Sequence, residues 1–371
     1  MVSARATYLD WNATAPLLPE AAAAMAEALR TCGNASSVHR WGRVARHAIE
    51  DSRVAVAALV GVAADEILFT SGGSEANQTA LRGFPGRRII VSAIEHDSVR
   101  AIPGAEFAPA LADGLIDLAA LEEMLAGAAR PALVSLMLAN NETGAIQPVA
   151  EAARIAHRHG ALLHTDAVQT AARLPVDGRA LGADLMTLSA HKIGGPQGVG
   201  ALVASPDLPL VPLIAGGGQE RGRRAGTENV AGIVGFGVAA RLGAACLADA
   251  VRIAALRDRA ERRLLAIAPA ARIFGATVPR LPNTICIAMP QVPAATQIIA
   301  LDLAGVMVSA GAACSSGKMR RSPVLEAMGI AAAEADCAIR ISLGPVTRAA
   351  DIDHLVEAWG ALYRRTRANA A

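Results

Sequence analysis

Residues 164–192 read HTDAVQTAARLPVDGRALGADLMTLSAHK, placing an acidic side chain, Asp166, at the end of one apolar run and a lysine, Lys192, at the end of the next. Pyridoxal phosphate needs an amine for its aldehyde and an anion to keep its pyridine nitrogen protonated, and those are the two groups found here. The competing reading of the pair alone is an ordinary α/β protein with a surface Asp and Lys.

Working outward from this stretch, each upstream segment repeats one design. EILFTSGGSEAN (66–77) is a short buried strand followed by a small-residue turn into a helix. Such a turn lets backbone N–H groups approach a phosphate, and the Ser74 hydroxyl adds a donor. RRIIVSAIEHDSVR (87–100) carries Glu95, His96 and Asp97 past a second strand, and PALVSLMLANNETG (131–144) ends in Asn140 and Asn141. His96 suits stacking on a ring as well as a polar role under a loop, and the asparagines suit ligand orientation as well as turn formation. PVAEAARIAHRHGA (148–161) is an amphipathic helix on which His157 and His159 face different ways, a poor metal pair. Strands alternating with helices imply a mostly parallel sheet covered on both faces, with ligands at the C-terminal strand edge. Ser74, His96, Asn141, Asp166 and Lys192 all follow an apolar strand at that edge, and five convergent polar groups are hard to explain as packing.

Downstream, LIAGGGQERGRRAGTENVAG (213–232) is dense in glycine and arginine, a candidate anion loop through Arg221, Arg223, Arg224 and Thr227 or else a solvated basic loop. Residues 229–268 read as helix with a break near Gly243. NTICIAMP, VMVSAGAA and AIRISLG are then short strands separated by helices at 294–304 and 322–328 and closed by a helix at 348–367, a small α+β arrangement. In SAGAACSSGKMRRSP (309–323), Cys314 lies in a run of Gly, Ala and Ser with Lys318, Arg320 and Arg321 after it, a setting that exposes a thiol and favours its thiolate. The other four cysteines read as buried and inert.

The 371 residues suffice for two domains, and a net charge of +2 points to neither nucleic acid nor an anionic membrane surface. Hydrophobic content of 53% with 3% aromatic residues means an alanine- and aliphatic-rich core. No apolar run crosses a bilayer's thickness without a charge or helix breaker, and MVSARATYLD lacks the apolar segment of a signal peptide, so a soluble cytoplasmic protein is expected. Five cysteines without a C-x-x-C pair suggest neither a disulfide framework nor a zinc site.

With these residues assembled, the chain closely resembles the cysteine desulfurases, the NifS- and IscS-like branch of the class V aminotransferase family with fold type I. The resemblance runs from YLDWNATAP to IRISLGP and rests on HTDAVQ, SAHKIGGPQGVGAL, GGGQERGRRAGTEN and SAGAACSSGK. It implies a large domain with a mostly parallel seven-stranded sheet (14–253) and a smaller α+β domain (1–13 and 254–371). Lys192 becomes the lysine that takes the aldehyde, Asp166 the partner of the pyridinium nitrogen, Gln169 a donor to the phenolic oxygen, and His96 the group stacked on the ring. Gly73, Ser74, Ser189 and His191 match the phosphate cradle. Thr227 matches a threonine reaching the neighbouring subunit's phosphate, which implies a homodimer. Asn141 and Arg340 match the groups holding the substrate carboxylate, and Cys314 the nucleophile that takes the sulfur.

The reaction so implied converts L-cysteine to L-alanine and leaves a persulfide for a protein acceptor, an iron–sulfur scaffold or sulfur carrier. Trp11 stands for a usual tyrosine, and Pro345 where arginine is frequent. Only 31 residues follow Arg340, shorter than the tail some relatives use to dock a scaffold. A selenocysteine lyase would resemble an R-x-G-x-x-C loop, which is absent, and an aminotransferase needs no nucleophilic cysteine. A non-catalytic sulfur carrier would not need Lys192, Asp166, His96, Arg340 and Cys314 together.

Overall fold

Short apolar runs rich in Val, Ile and Leu, each ended by a turn, form strands buried on both faces. A computed structural model describes residues 6–127, 130–311 and 321–368. Seven strands make one sheet in the order Ile67–Thr70, Gly200–Ala204, Leu185–Ser189, Leu162–Asp166, Ala132–Ser135, Arg88–Ser92 and Glu106–Ala108. Gly200–Ala204 runs antiparallel to both neighbours and the remaining pairings in that sheet are parallel. The expected mostly parallel seven-stranded sheet is therefore present. Asp166 and Ser189 are the last residues of adjacent strands, and this places their side chains at the ligand-binding edge.

Local chemistry sets the helix boundaries. Asp117 caps Leu118–Leu125 by accepting from the N–H groups of Ala119 and Ala120, and Asn229 caps Val230–Cys246 through Gly232. His39, exposed at the surface, accepts from the Gly42 N–H and caps the start of Arg40–Leu59.

The helix expected to break at Gly243 instead continues to Cys246, turns tightly at Leu247–Asp249 and resumes as Ala250–Ile267. Gly243 serves close packing: a methyl there would lie 2.9 Å from the Ala172 Cβ. Gly237 does the same against Ser52, where a methyl would lie 2.6 Å from Cβ. An 18-residue window within Val230–Ile267 is apolar enough to cross a membrane by length and composition, while the second half of the run is densely charged, with Arg257, Asp258, Arg259 and Glu261 among its residues. The first half of the run instead packs against Pro19–Arg30 and Arg40–Leu59.

A second, antiparallel sheet has the order Ser309–Ala310, Ala338–Ser342, Thr284–Ala288 and Arg272–Ile273, and Thr7–Tyr8 pairs in parallel with Val306–Met307. Its core forms around Leu9, Ile285, Ile287, Ile339, Ile341 and Trp359, covered by Ala349–Ala368 and Ala250–Ile267. The Trp359 indole is fully buried yet satisfied, its N–H reaching Gln297 Oε1 at 3.2 Å.

The basic loop is largely exposed, as a solvated loop would be, but its arginines are also engaged by the protein. Arg224 pairs with Glu75 at 2.9 Å, while Arg221 and Arg223 donate to the carbonyls of Asp65 and Ala204. Beneath it, Arg53 and Glu220 form a bidentate pair at 2.7 and 2.9 Å with side chains 2% exposed.

Candidate active site

The two sheets meet over a cavity of about 420 Å³. It is lined by ten of the twelve site residues expected from sequence: Gly73, Ser74, His96, Asn141, Asp166, Gln169, Ser189, His191, Lys192 and Arg340. Thr227 is not among them; it is exposed and lines a separate cavity with Arg224 and Glu220. Cys314, with Lys318 and Arg320, lies outside the described residues. Of the other four cysteines, Cys286 and Cys337 are buried as expected, Cys246 is half-buried, and Cys32 is exposed.

Asp166 is held by two donors. Its Oδ1 accepts from the Val168 N–H at 2.9 Å and its Oδ2 from Asn77 Nδ2 at 2.8 Å. Asn77 lies one helical turn after Ser74 on Gly73–Arg82, a position that could have been read from the SGGSEAN turn. A second buried carboxyl, Glu95, lies close by. Burial and the charge of Asp166 push it well above the usual carboxylate range, and only its Oε1 has a partner, the Met137 N–H at 2.5 Å. Two carboxyl groups, Asp166 and Glu95, thus share the floor of the cavity.

Lys192 ends the tight turn Ala190–Lys192, and its amine donates to the carbonyls of Asn12 and Ala13 at 2.6 and 2.7 Å. Among the described residues, no carboxylate hydrogen-bonds or pairs with it. Burial, then the charges of Arg173 and Arg340, lower its pKa from 10.5 to about 7, against the opposing pull of Asp166 and Asp10. Burial and the neighbouring cations Lys192 and Arg173 likewise lower His191 to about 4, so its ring is neutral beside the Thr14 hydroxyl. His96 sits at the exposed rim. Its Nδ1 accepts from the Ser98 N–H at 3.1 Å, which leaves the ring proton on Nε2.

Arg340, from the strand Ala338–Ser342, is 4% exposed. It donates through Nη2 to Asp10 Oδ1 at 2.9 Å and through Nη1 to the Asn141 carbonyl at 3.2 Å, and its buried Nε has no partner among the described residues. Asn141 therefore braces Arg340 through its backbone. Asn140 is the turn former: its Oδ1 accepts from the N–H groups of Glu142 and Thr143.

Gln169 has both ends of its amide engaged, Nε2 with the Asn12 carbonyl at 3.0 Å and Oε1 with Arg173. Arg173 also donates to the Trp11 carbonyl at 3.1 Å, and burial lowers its pKa to about 9. Sequence reasoning passed over Arg173 and over Asn12, although both lie in stretches it quoted. Their partners are main-chain carbonyls, which no residue pattern reveals. Trp11 lies against Gly344, where a methyl would fall 2.0 Å from the indole ring, and the Pro345 carbonyl is an acceptor for Arg252.

The amine with two neutral acceptors and a pKa near neutrality fits an aldehyde, and the donor-braced Asp166 fits a protonated pyridine nitrogen. Gly73 leaves room where a methyl would lie 3.2 Å from Val168 Cγ2. This sheet with this edge constellation defines a pyridoxal-phosphate enzyme of fold type I. The chain belongs to the aminotransferase class-V family, whose sequence model matches residues 7–355.

Among its relatives, a cysteine desulfurase of Cereibacter sphaeroides is 47% identical over 366 residues, 94% of each chain. An IscS-like cysteine desulfurase of Mycobacterium tuberculosis is 40% identical over 382 residues, 97% of each chain. The structure of a NifS-like protein from Rickettsia africae superposes with a TM-score of 0.91 at 36% identity, covering 97% of this chain and all of that one.

Proposed function

We propose that the protein is a cysteine desulfurase that converts L-cysteine to L-alanine and leaves the sulfur as a persulfide on Cys314. The observation that carries this reading is the Lys192 amine, with a pKa near 7 and no acidic partner, in one cavity with Asp166 and Arg340. Pyridoxal phosphate, when bound, supplies a sink for the electron pair left at the substrate's Cα. On this reading Lys192 would hold its aldehyde, Asp166 its ring nitrogen, Gln169 its phenolic oxygen, and His96 its ring face. Gly73, Ser74, Ser189 and His191 would hold its phosphate.

The chain's own groups supply the rest. Arg340 offers its unpartnered Nε–H and spare Nη hydrogens to the substrate carboxylate, with Asp10 and Asn141 fixing the plane of the fork. Lys192, about half neutral at pH 7 and increasingly neutral above it, can accept the Cα proton. His96, protonated on Nε2 at the rim, is placed to pass protons between the substrate and solvent. The Cys314 thiolate attacks the substrate sulfur: an S–S bond forms, the substrate's Cβ–S bond breaks, and Cβ gains a proton, so thiol and L-cysteine become persulfide and L-alanine.

The protein is further proposed to be a cytoplasmic homodimer in which Thr227 contributes to the partner's phosphate site. Its exposure beside Arg224 at a distinct cavity supports this. Division into a large domain (14–253) and a small one (1–13 and 254–371) is supported by separate apolar cores, the second drawn from Leu9 and residues from Ala260 onward, with Ile253 at the boundary joining it. A protein sulfur acceptor completes the cycle.

Incubating the holoenzyme with L-cysteine and a thiol reductant should release alanine and sulfide in equal amounts. Cys314→Ala should stop both while L-cysteine still perturbs the cofactor's absorbance. Alanine released at an unchanged rate by that variant would refute the assignment of Cys314.

A further inference from the structure

The turn that carries Asn141 also carries Glu142, a side chain sequence reasoning did not single out. Its carboxyl group is buried, and burial raises its pKa against the opposing effects of the Ser322 hydrogen bond and the Arg340 charge. Ser322 Oγ donates to Glu142 Oε2 at 2.5 Å. Gly311 approaches the same oxygen so closely that a methyl there would lie 2.0 Å from it and 3.4 Å from Ser322 Cβ. A side chain at 311 would displace the Glu142 carboxyl group.

Ser322 is fixed a second time, because its Oγ accepts from the Leu325 N–H at 3.0 Å and caps the helix Pro323–Ala327. The nearby Arg321–Asp336 pair is solvent-exposed on both sides and anchors little. Gly311 and Ser322 are the residues between which Cys314 is carried, three positions after Gly311. The preceding residue, Asn141, holds Arg340 through its carbonyl. One turn therefore touches the arginine assigned to the substrate carboxylate and both ends of the cysteine-bearing stretch.

We propose that Glu142 is a positioning residue for sulfur transfer, its carboxyl group bonding Ser322 and meeting Gly311, the described residues that bracket Cys314 in the chain, beside the Arg340 assigned to the substrate. The proposal rests on the desulfurase reading and assigns a residue that supports its sulfur-transfer step. Glu142 acts through Gly311 and Ser322 and not on the reacting atoms. Its loss should slow attack on the substrate sulfur without weakening the grip on L-cysteine.

The test is a single-turnover reaction of the holoenzyme with L-cysteine, in which Cys314 persulfide is trapped by alkylation and counted by mass spectrometry, with KM measured alongside. Glu142→Ala and Ser322→Ala should each slow persulfide formation about tenfold or more, since misplacement of a reacting group by about 1 Å costs up to ~100-fold, while KM stays within about twofold. Glu142→Gln keeps an acceptor for the Ser322 hydroxyl and should recover most of the rate. Unchanged persulfide formation in both alanine variants, or a KM that rises in proportion to the lost rate, would overturn the proposal. Should Glu142→Ala fail to fold, Ser322→Ala, which removes only a hydroxyl, decides. A wild-type enzyme that forms neither alanine nor persulfide would instead refute the desulfurase reading itself.

Discussion

The Lys192 amine carries a quantitative consequence. An ordinary lysine is almost wholly protonated at neutral pH, whereas a pKa lowered from 10.5 to about 7 leaves about half of this amine neutral at pH 7. The gain in nucleophilic amine is on the order of a thousandfold. The chain has two lysines, Lys192 and Lys318, so trace acylation followed by mass spectrometry can report Lys192 cleanly in cofactor-free protein. Its labelling rate should rise with pH and level off above a midpoint near 7, and Arg173→Met, which removes a nearby cation, should move the midpoint upward.

The same shift is a stability statement. With the folded pKa below the unfolded one, unfolding takes up a proton between about pH 7 and 10.5, so stability rises with pH across that window. The cost of holding the charged amine in the fold is fully present below pH 7 and gone above 10.5, at up to about 5 kcal/mol. Lys192→Met should therefore stabilise cofactor-free protein against urea at pH 6 and lose that advantage by about pH 10. A labelling midpoint above about 9, or a Lys192→Met benefit independent of pH, would refute the reasoning.

Two further predictions concern packing. Arg53→Met leaves Glu220 buried, charged and held in a left-handed backbone conformation at φ 45°, so unfolding free energy should fall by about 3–5 kcal/mol in a denaturant titration; a loss under about 1 kcal/mol would contradict the burial argument. Gly344→Ala should lower the thermal midpoint by overpacking worth about 1–3 kcal/mol, because the added methyl meets the Trp11 ring at 2.0 Å. Adding Trp11→Leu should recover part of that loss.

Local chemistry was the legible part of the sequence. A strand shows as an apolar run, a phosphate-type turn as small residues before a helix, and a cap as Asp or Asn, so Ile67–Thr70, Leu162–Asp166 and Leu185–Ser189 were readable, and with them the sheet edge holding Asp166 and Lys192. Gly243 misled because a glycine required for close approach to Ala172 looks, in sequence, like one that ends a helix. The acceptors of the arginines at 221, 223 and 224, Glu75 and the carbonyls of Asp65 and Ala204, were not legible because they lie far away in the chain.

The sequence by itself determined which chemical groups are present and which strand ends carry them, since those follow from residue type and short-range periodicity. Only the tertiary structure decided their surroundings. The carbonyls of Asn12 and Ala13 meet Lys192 across some 180 positions, and Arg340 crosses from the second sheet to Asp10 and Asn141. Burial and charge at those meetings set an amine's pKa near 7, and the fold gathers Glu142, Gly311 and Ser322 at a single oxygen. Such properties belong to distances between residues remote in sequence, which folding alone brings into range.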